Sequence, residues 1–239
     1  MQKKIKNIYL ESTKLNTKEN ILIVAAHPDD EILGCGGSII KLKKNCTINT
    51  IFMTNGVSSR KGTSKKHILR RKTQCLKLFK HLKINKPIFF NLPDNQMDKI
   101  PILKIVKKLE KYIKLLKPST IFTHYENCLN VDHKKTFEAV ITACRPINNQ
   151  PIKKILSFEI PSSTEWNVGK KNIFVPNYFI DITNVINKKI ESIKFYKDEI
   201  RKYPHSRSLK LIKSLASYRG ASSGVRYAEA FYLNRFIDK

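Results

Sequence analysis

The sequence has 239 residues, 41% of them hydrophobic, and a formal net charge of +27. This length suits one sizeable α/β domain. No apolar stretch approaches the ~20 residues of a membrane span, and the lysine-rich start lacks the apolar core of a secretory signal, so we expect neither feature.

The cysteines and the charge narrow the class of protein further. Five scattered cysteines, an odd number, indicate reduced thiols and a cytoplasmic location rather than a disulfide framework. The charge admits a nucleic-acid partner or peripheral contact with an anionic membrane. Because the excess is mostly lysine spread over every predicted helix, without interleaved aromatic residues, we interpret it as solvated surface and predict no nucleic-acid partner. Such a surface can still steer an anionic substrate.

Short apolar runs alternate with helical patterns along the chain after a polar basic arm at residues 1–19. In chain order, the predicted elements are strand 21–24, helix 32–42, strand 47–53, helix 66–82, strand 87–90, helix 102–116, strand 119–123, helix 132–145, strand 151–159, strand 178–182 and a helical tail from 184. This alternation favours a mostly parallel sheet flanked by helices, with the 178–182 strand antiparallel. The segment from Gly34 to Gly37 is not a Gly-x-Gly-x-x-Gly fingerprint, so we predict no dinucleotide cofactor.

The turn after the first strand carries one imidazole and two carboxylates. His27 and Asp30 are three residues apart and close enough to hold one divalent cation, while Asp29 projects differently. The alternative is that the aspartates only stabilise the start of the following helix. A catalytic zinc site usually has three protein ligands, so a third ligand must come from elsewhere.

A second cluster of histidine and aspartate follows the 119–123 strand. His124 ends that strand, and Asp132 and His133 open the next helix. Because the carboxyl ends of parallel strands meet at one edge of a sheet, both clusters can converge there. We predict His133 as the third metal ligand.

At these two motifs the chain resembles the PIG-L/LmbE-like family of zinc-dependent N-acetyl-sugar deacetylases, from about residue 21 to the C-terminus. The resemblance implies one Rossmann-like domain over residues 20–239, with a helical C-terminal extension from about 184. It implies Zn²⁺, or another divalent metal such as Fe²⁺, on His27, Asp30 and His133. It also implies that Asp29 is the general base.

The second motif departs from the family. Many members carry His-Pro-Asp-His where this chain has Asn130-Val131-Asp132-His133. The family's first histidine is thought to stabilise the oxyanion or to protonate the leaving amine. Asn130 can donate a hydrogen bond but cannot exchange a proton near neutral pH. His124 or His205 can take over the acid role, or Asp29 can return its proton. Asp132 is expected to orient the acid.

Four residues are candidates for substrate binding. Arg71 lies on a helix resembling the family's Arg-x-x-Glu helix, and Asp94 matches a carboxylate near the sugar hydroxyls. Their alternatives are a surface cation and a turn-forming aspartate. Trp166 either stacks on a sugar ring or is a core residue. Arg207 can reach a phosphate or the sugar, or is a structural turn residue.

The sequence therefore predicts a metal-dependent hydrolase that releases acetate from an N-acetylated amino sugar. The substrate is a small-molecule or carrier-linked sugar, such as a nucleotide- or lipid-linked precursor in surface polysaccharide biosynthesis. The alternatives are a metal-dependent hydrolase of another amide or ester bond, and a basic nucleic-acid-binding protein. A two-metal phosphatase would need more carboxylates than these motifs provide.

Overall fold

The structure is a computed structural model that describes residues 19–147, 150–169 and 173–238. The predicted basic arm lies outside these residues except for Glu19, which begins the first strand. The strands are β1 (Glu19–Ala25), β2 (Cys46–Thr54), β3 (Ile88–Leu92), β4 (Thr120–His124), β5 (Lys154–Phe158), β6 (Tyr178–Asp181) and β7 (Ala228–Phe236). The α-helices are α1 (Asp30–Leu42), α2 (Lys65–Leu82), α3 (Ile102–Leu116), α4 (Val131–Ala143), α5 (Ile186–Ile193) and α6 (Leu209–Ala221).

The strands form one sheet in the order β3-β2-β1-β4-β5-β7-β6. β1 to β5 run parallel, β7 runs antiparallel to β5, and β6 runs antiparallel to β7. The predicted mostly parallel α/β fold is confirmed. β1 and β4 are neighbours although their crossover connections leave in opposite directions, which is the arrangement that opens a ligand crevice at their carboxyl ends.

Each face of the sheet carries its own apolar core. Along β1, Ile21 and Ile23 point into the core that α1, α2, α5 and α6 cover, and Leu22 and Val24 point into the core under α3 and α4. This strand is buried on both faces, which explains its unbroken apolar sequence. None of the helices in the described part of the chain is long and apolar enough to cross a membrane.

Helix α1 packs against β5 at a glycine. A Cβ atom on Gly34 would lie 2.5 Å from the ring of Phe158, so only glycine permits this approach. The helix has a non-helical residue, Cys35, beside that contact. The close approach seats the first turn of α1, which carries Asp30, directly on the sheet.

The prediction of a wholly helical C-terminal extension is wrong for residues 228–236. Alanine, glutamate, leucine and arginine in this segment are good helix formers, yet the segment forms strand β7. β7 forms backbone hydrogen bonds with the edge of β5, and its buried half places Phe231 in the core. Tertiary pairing therefore overrides local propensity here.

Candidate metal centre and active site

The candidate site lies where β1 and β4 end side by side in the sheet. The turn after β1 carries His27, Asp29 and Asp30, and the turn after β4 leads to His133 in α4. His27 and His133 are 106 positions apart in sequence, yet their ring nitrogens approach to 3.2 Å. The fold brings the turns after β1 and β4 together, as the sequence predicted.

Three donor atoms form a nearly equilateral triangle. Asp30 Oδ2 lies 3.2 Å from His27 Nδ1 and 3.3 Å from His133 Nε2, and 3.2 Å separates the two nitrogens. Three ligands of a tetrahedral Zn²⁺ with bonds of ~2.0–2.1 Å lie about 3.3–3.4 Å apart. The spacing, the burial and the donor types therefore fit zinc.

The charges of these side chains also suit a cation. Burial by itself raises the pKa of Asp30, but the imidazoles of His133, His124 and His27 hold it well below its usual range. Burial lowers the pKa values of His27 and His133. Asp30 and Asp132 nevertheless raise the pKa of His27 to about 10, and Asp30 and Cys128 raise that of His133 to about 9. A divalent cation would replace the protons of these two rings. Within the described residues, buried Asp30 Oδ1 has no hydrogen-bond partner, another feature of a cation site.

Asp132 holds His27 from the side opposite the donor triangle. Its Oδ2 lies 3.1 Å from His27 Nε2 and also accepts the N–H of Asn95, and its Oδ1 accepts the N–H of Met97. We predicted that Asp132 orients an acid; the structure instead places it against a candidate ligand. Such a carboxylate fixes the ring and makes its other nitrogen more basic.

Cys128 is a residue that the sequence analysis missed. Its Sγ lies 3.0 Å from His133 Nδ1 and 3.0 Å from the hydroxyl of Ser163. Burial by itself raises the thiol pKa, but His133 and the hydrogen bonds lower it to about 7. Its position five residues before His133 in the same turn was the only available signal. Cys128 orients His133 as Asp132 orients His27.

A second set of donors, His27, Asp94 and Asp132, shares one imidazole with the first. Here His27 offers Nε2, which is 3.1 Å from Asp132 and 3.5 Å from Asp94. A neutral imidazole has one lone pair for a metal, because its other nitrogen carries the proton. Since Asp132 already accepts two backbone N–H groups, it suits that proton, and the first set suits the metal.

Asp29, the predicted base, sits on a strained backbone beside the triangle. Its φ of 132° is outside the range that side chains normally permit. Its N–H donates to Glu31 Oε2 at 2.9 Å, and Tyr196 donates its hydroxyl to the other Glu31 oxygen. Burial raises the pKa of Asp29 although two arginines oppose this. Strain of this kind is typical of functional residues.

Two arginines flank the Asp29 carboxylate. Arg207 Nη1 lies 3.1 Å from Asp29 Oδ2 and Arg71 Nη1 lies 3.5 Å from it. Both arginines also pair with Glu199, which in addition binds Arg60. Arg71 is 3% exposed, so it is not a surface cation, and it supports Asp29 from behind. Glu199 was not found from the sequence.

A cavity of about 140 Å³ lies at this site. Asp94 lines it and is held by Ser59, whose N–H and hydroxyl both donate to Oδ2. Asn130 lines it too, with Oδ1 capping α4 and Nδ2 donating to Asn95. The other lining residues are His27, Asp29, Gly56, Arg60, Asn95, His133, Ser162, Ser163 and Arg207.

His124 is not among the residues that line this cavity. It is fully buried, its Nε2 accepts the N–H of Ala26 at 2.8 Å, and its ring stacks on His133 at 3.9 Å. Burial, followed by the charge of His133, lowers its pKa well below the usual value. A neutral ring behind a ligand cannot hand a proton to a substrate, so the acid role suggested for His124 does not fit.

Trp166 also stands apart from the cavity lining. Its side chain is 49% exposed and meets the ring of His205 edge-on at 5.4 Å. His205 Nδ1 accepts the N–H of Arg207, so it shapes the turn that presents that arginine. The structure thus brings Arg207 to the site and leaves Trp166 and His205 outside it.

Known proteins share these features of sequence and fold. The profile of the family described as "PIG-L: GlcNAc-PI de-N-acetylase" matches residues 22–144. YaiS of Escherichia coli, described as an uncharacterized deacetylase, is 30% identical over 62% of this chain and 77% of its own length. The diacetylchitobiose deacetylase of Thermococcus kodakarensis is 25% identical over 93% of this chain and 84% of its own. The structure of the N,N'-diacetylchitobiose deacetylase from Pyrococcus horikoshii superposes with a TM-score of 0.73 and 20% identity, covering 98% of this chain and 93% of that one.

Proposed function

Since the chain belongs to the PIG-L family of GlcNAc-PI de-N-acetylases, we propose that it removes the acetyl group from an N-acetylated amino sugar. The observation that carries this proposal is the donor triangle of His27, Asp30 and His133 beside the carboxylate of Asp29. His27, His133 and Asp29 line one cavity, and Asp30 lies buried behind them. We propose Zn²⁺ as the metal, with Fe²⁺ as the alternative, because two imidazoles and one carboxylate suit either ion.

The protein residues divide the reaction between them. A bound divalent metal supplies Lewis-acid chemistry, which polarises a carbonyl oxygen and makes water acidic near neutral pH. Asp29 takes the proton of the attacking water, and Arg207 and Arg71 keep its carboxylate in place. The side-chain amide of Asn130 lies in the cavity and donates to the oxygen on which negative charge develops.

Asp29 also serves as the acid in this scheme. Its carboxylate holds the proton taken from water, and its raised pKa makes that protonated form accessible. The leaving amine receives this proton as the carbon–nitrogen bond breaks, so one residue is base and then acid. The products are acetate and a free amino sugar.

Asp94 and Arg207 are the residues we propose for holding the sugar. Both line the cavity and present a carboxylate and a guanidinium to it, groups that pair with hydroxyls. The Thermococcus kodakarensis relative is a diacetylchitobiose deacetylase, which supports an N-acetylglucosamine unit here. All five cysteines are free thiols, which supports a reducing cytoplasm.

Acetate release tests the proposal. The zinc-loaded protein is incubated with N-acetylglucosamine, diacetylchitobiose and nucleotide-linked N-acetylglucosamine, and acetate is quantified. We expect acetate from at least one sugar, loss of activity after chelation and recovery with Zn²⁺ or Fe²⁺. Hydrolysis of an aryl ester or a peptide amide without any acetate from the sugars would support the alternative hydrolase instead.

A further inference from the structure

A second cavity, of about 340 Å³, adjoins the catalytic one. It lies between the segment 57–63 and the first half of α2, and Arg60 lines both cavities. The segment is held in place, because Ser59 binds Asp94 and Arg60 binds Glu199. A substrate whose acetamido group occupies the catalytic cavity can therefore extend past Arg60 into a preformed space.

The second cavity is strongly basic. Its lining contains one carboxylate, that of Asp198, and four cationic side chains, which are Arg60, Lys61, Arg70 and Arg71. Arg60 and Arg70 pair with acidic residues but remain about half exposed, at 47% and 54%. Lys61 has no ion-pair partner among the described residues. Of the four cations, Arg71 is buried and pairs with Asp29 and Glu199. The space therefore faces three accessible cationic side chains, Arg60, Lys61 and Arg70, which suit an anion.

The start of α2 adds to this positive potential. A helix N-terminus carries partial positive charge and normally favours acidic residues in its first turn. The first turn of α2 has none, and instead carries Lys65 and Lys66, with His67 lining the cavity. These cations are unfavourable for the isolated helix. A bound anion would offset that repulsion.

From these observations, and resting on the proposed deacetylation, we propose that this cavity binds the phosphate or diphosphate that links the sugar to its carrier. Arginine forks match the geometry of phosphate oxygens. A neutral chito-oligosaccharide would offer no charge to Lys61 or to the half-exposed guanidinium groups of Arg60 and Arg70. The substrate class is therefore an N-acetylamino-sugar phosphate ester.

Kinetics with matched substrates tests this inference. Acetate release is measured for N-acetylglucosamine, its 1-phosphate and its uridine diphosphate ester, and for a short polyprenyl diphosphate ester. We expect kcat/KM to be at least about tenfold higher for the phosphorylated sugars, as one charge-assisted hydrogen bond provides. The last two substrates distinguish a nucleotide carrier from a lipid carrier.

Charge-removing variants locate the effect. The double variant Lys61→Gln, Arg70→Gln should lose most of the higher kcat/KM for phosphorylated sugars. Its kcat/KM for the neutral sugar should be unchanged. The control is the double variant Lys107→Gln, Lys111→Gln, which removes the same charge from two exposed lysines of α3 on the opposite face of the sheet. It should keep the higher kcat/KM for phosphorylated sugars. Equal kcat/KM for neutral and phosphorylated sugars, or equal effects of both double variants, would overturn the inference.

A binding measurement separates this inference from the proposed function. Calorimetry of the zinc-loaded protein compares glucosamine 1-phosphate with glucosamine, independently of turnover. The proposed phosphate site is supported if the wild type binds glucosamine 1-phosphate more tightly than glucosamine and the Lys61→Gln, Arg70→Gln variant does not. Absence of that difference rejects it. Absence of acetate from every sugar would reject only the deacetylase proposal.

Discussion

The turn between β4 and α4 has a side-chain cap of its own, whereas the turn between β1 and α1 has none and also draws on distant residues. In the first, Asn130 Oδ1 accepts the N–H groups of Asp132 and His133 at 2.8 and 3.3 Å. In the second, Asp29 makes no side-chain capping bond and has a φ of 132°. The turn that carries the proposed base therefore needs external support.

That support comes from α2 and the C-terminal extension. Glu31 accepts the N–H of Asp29 and is itself held by Tyr196, while Arg71 and Arg207 flank the Asp29 carboxylate. The comparison teaches that the turn leading to His133 has a local cap, whereas the turn that carries His27, Asp30 and the proposed base also depends on long-range contacts. Substitutions at four residues test this comparison.

Removal of a ligand should have the largest effect. His133→Ala should lower zinc affinity by more than about 100-fold, because even loss of an outer partner of a ligand costs about 10–100-fold. Metal analysis after dialysis measures this, with exposed His81→Ala as the control. Full metal content in His133→Ala would exclude it as a ligand.

Removal of the base should leave the metal in place. Asp29→Asn should lower kcat by roughly 10²–10⁴ with zinc retained. The wild-type rate should fall as pH drops through the pKa of Asp29, which burial raises above its usual value, because protonation disables the base. This acid limb should be absent from the variant. If zinc is lost together with activity, Asp29 is instead a ligand.

Weakening the support of the first turn should have a smaller effect. Tyr196→Phe removes the hydroxyl that donates to Glu31 at 2.8 Å, so we expect kcat to fall about tenfold while KM and zinc content stay the same. Steady-state kinetics with metal analysis checks this. Tyr112→Phe, under the other face of the sheet, is the matched control. An equal change in both variants would argue against a positioning role for Tyr196.

The smallest effect should come from the cap of the second turn. Asn130→Ala should lower the free energy of unfolding by about 1 kcal/mol, and Asn130→Ser by only a few tenths of that, because serine also caps helices. Both variants lose the amide donor, so both should lower kcat equally. Urea unfolding and steady-state kinetics measure the two effects. Normal kcat in the Asn130→Ser variant would show that Asn130 acts only as a helix cap.

Sequence predicted the features that depend on local pattern. The strand ends and the spacing of His27, Asp30 and His133 are short-range signals, and the parallel order of the strands brings them together. Arg71 was predicted to contact substrate, with a surface cation as the alternative, since nothing nearby in sequence indicates Glu199, which lies 128 positions away. Cys128 stood close to His133, but no pattern indicated that its thiol meets the ring.

The C-terminal extension shows the same limit at the level of the fold. Helix-favouring residues in 228–236 hid a strand, because its partner β5 is about 75 positions earlier in the chain. The pairing partner, rather than the segment, determines the secondary structure there. Arg207 and Tyr196 reach Asp29 and Glu31 by the same long-range docking.

The insertion of β7 between β5 and β6 has a consequence for biosynthesis. β6 pairs only with β7 in the described sheet, so it cannot join until residues 228–236 have left the ribosome. Until then the edge of β5 stays open, and an open edge is a template for aggregation. A nascent chain can thus form the two metal-bearing turns early, but its sheet is completed only after β7 has been made.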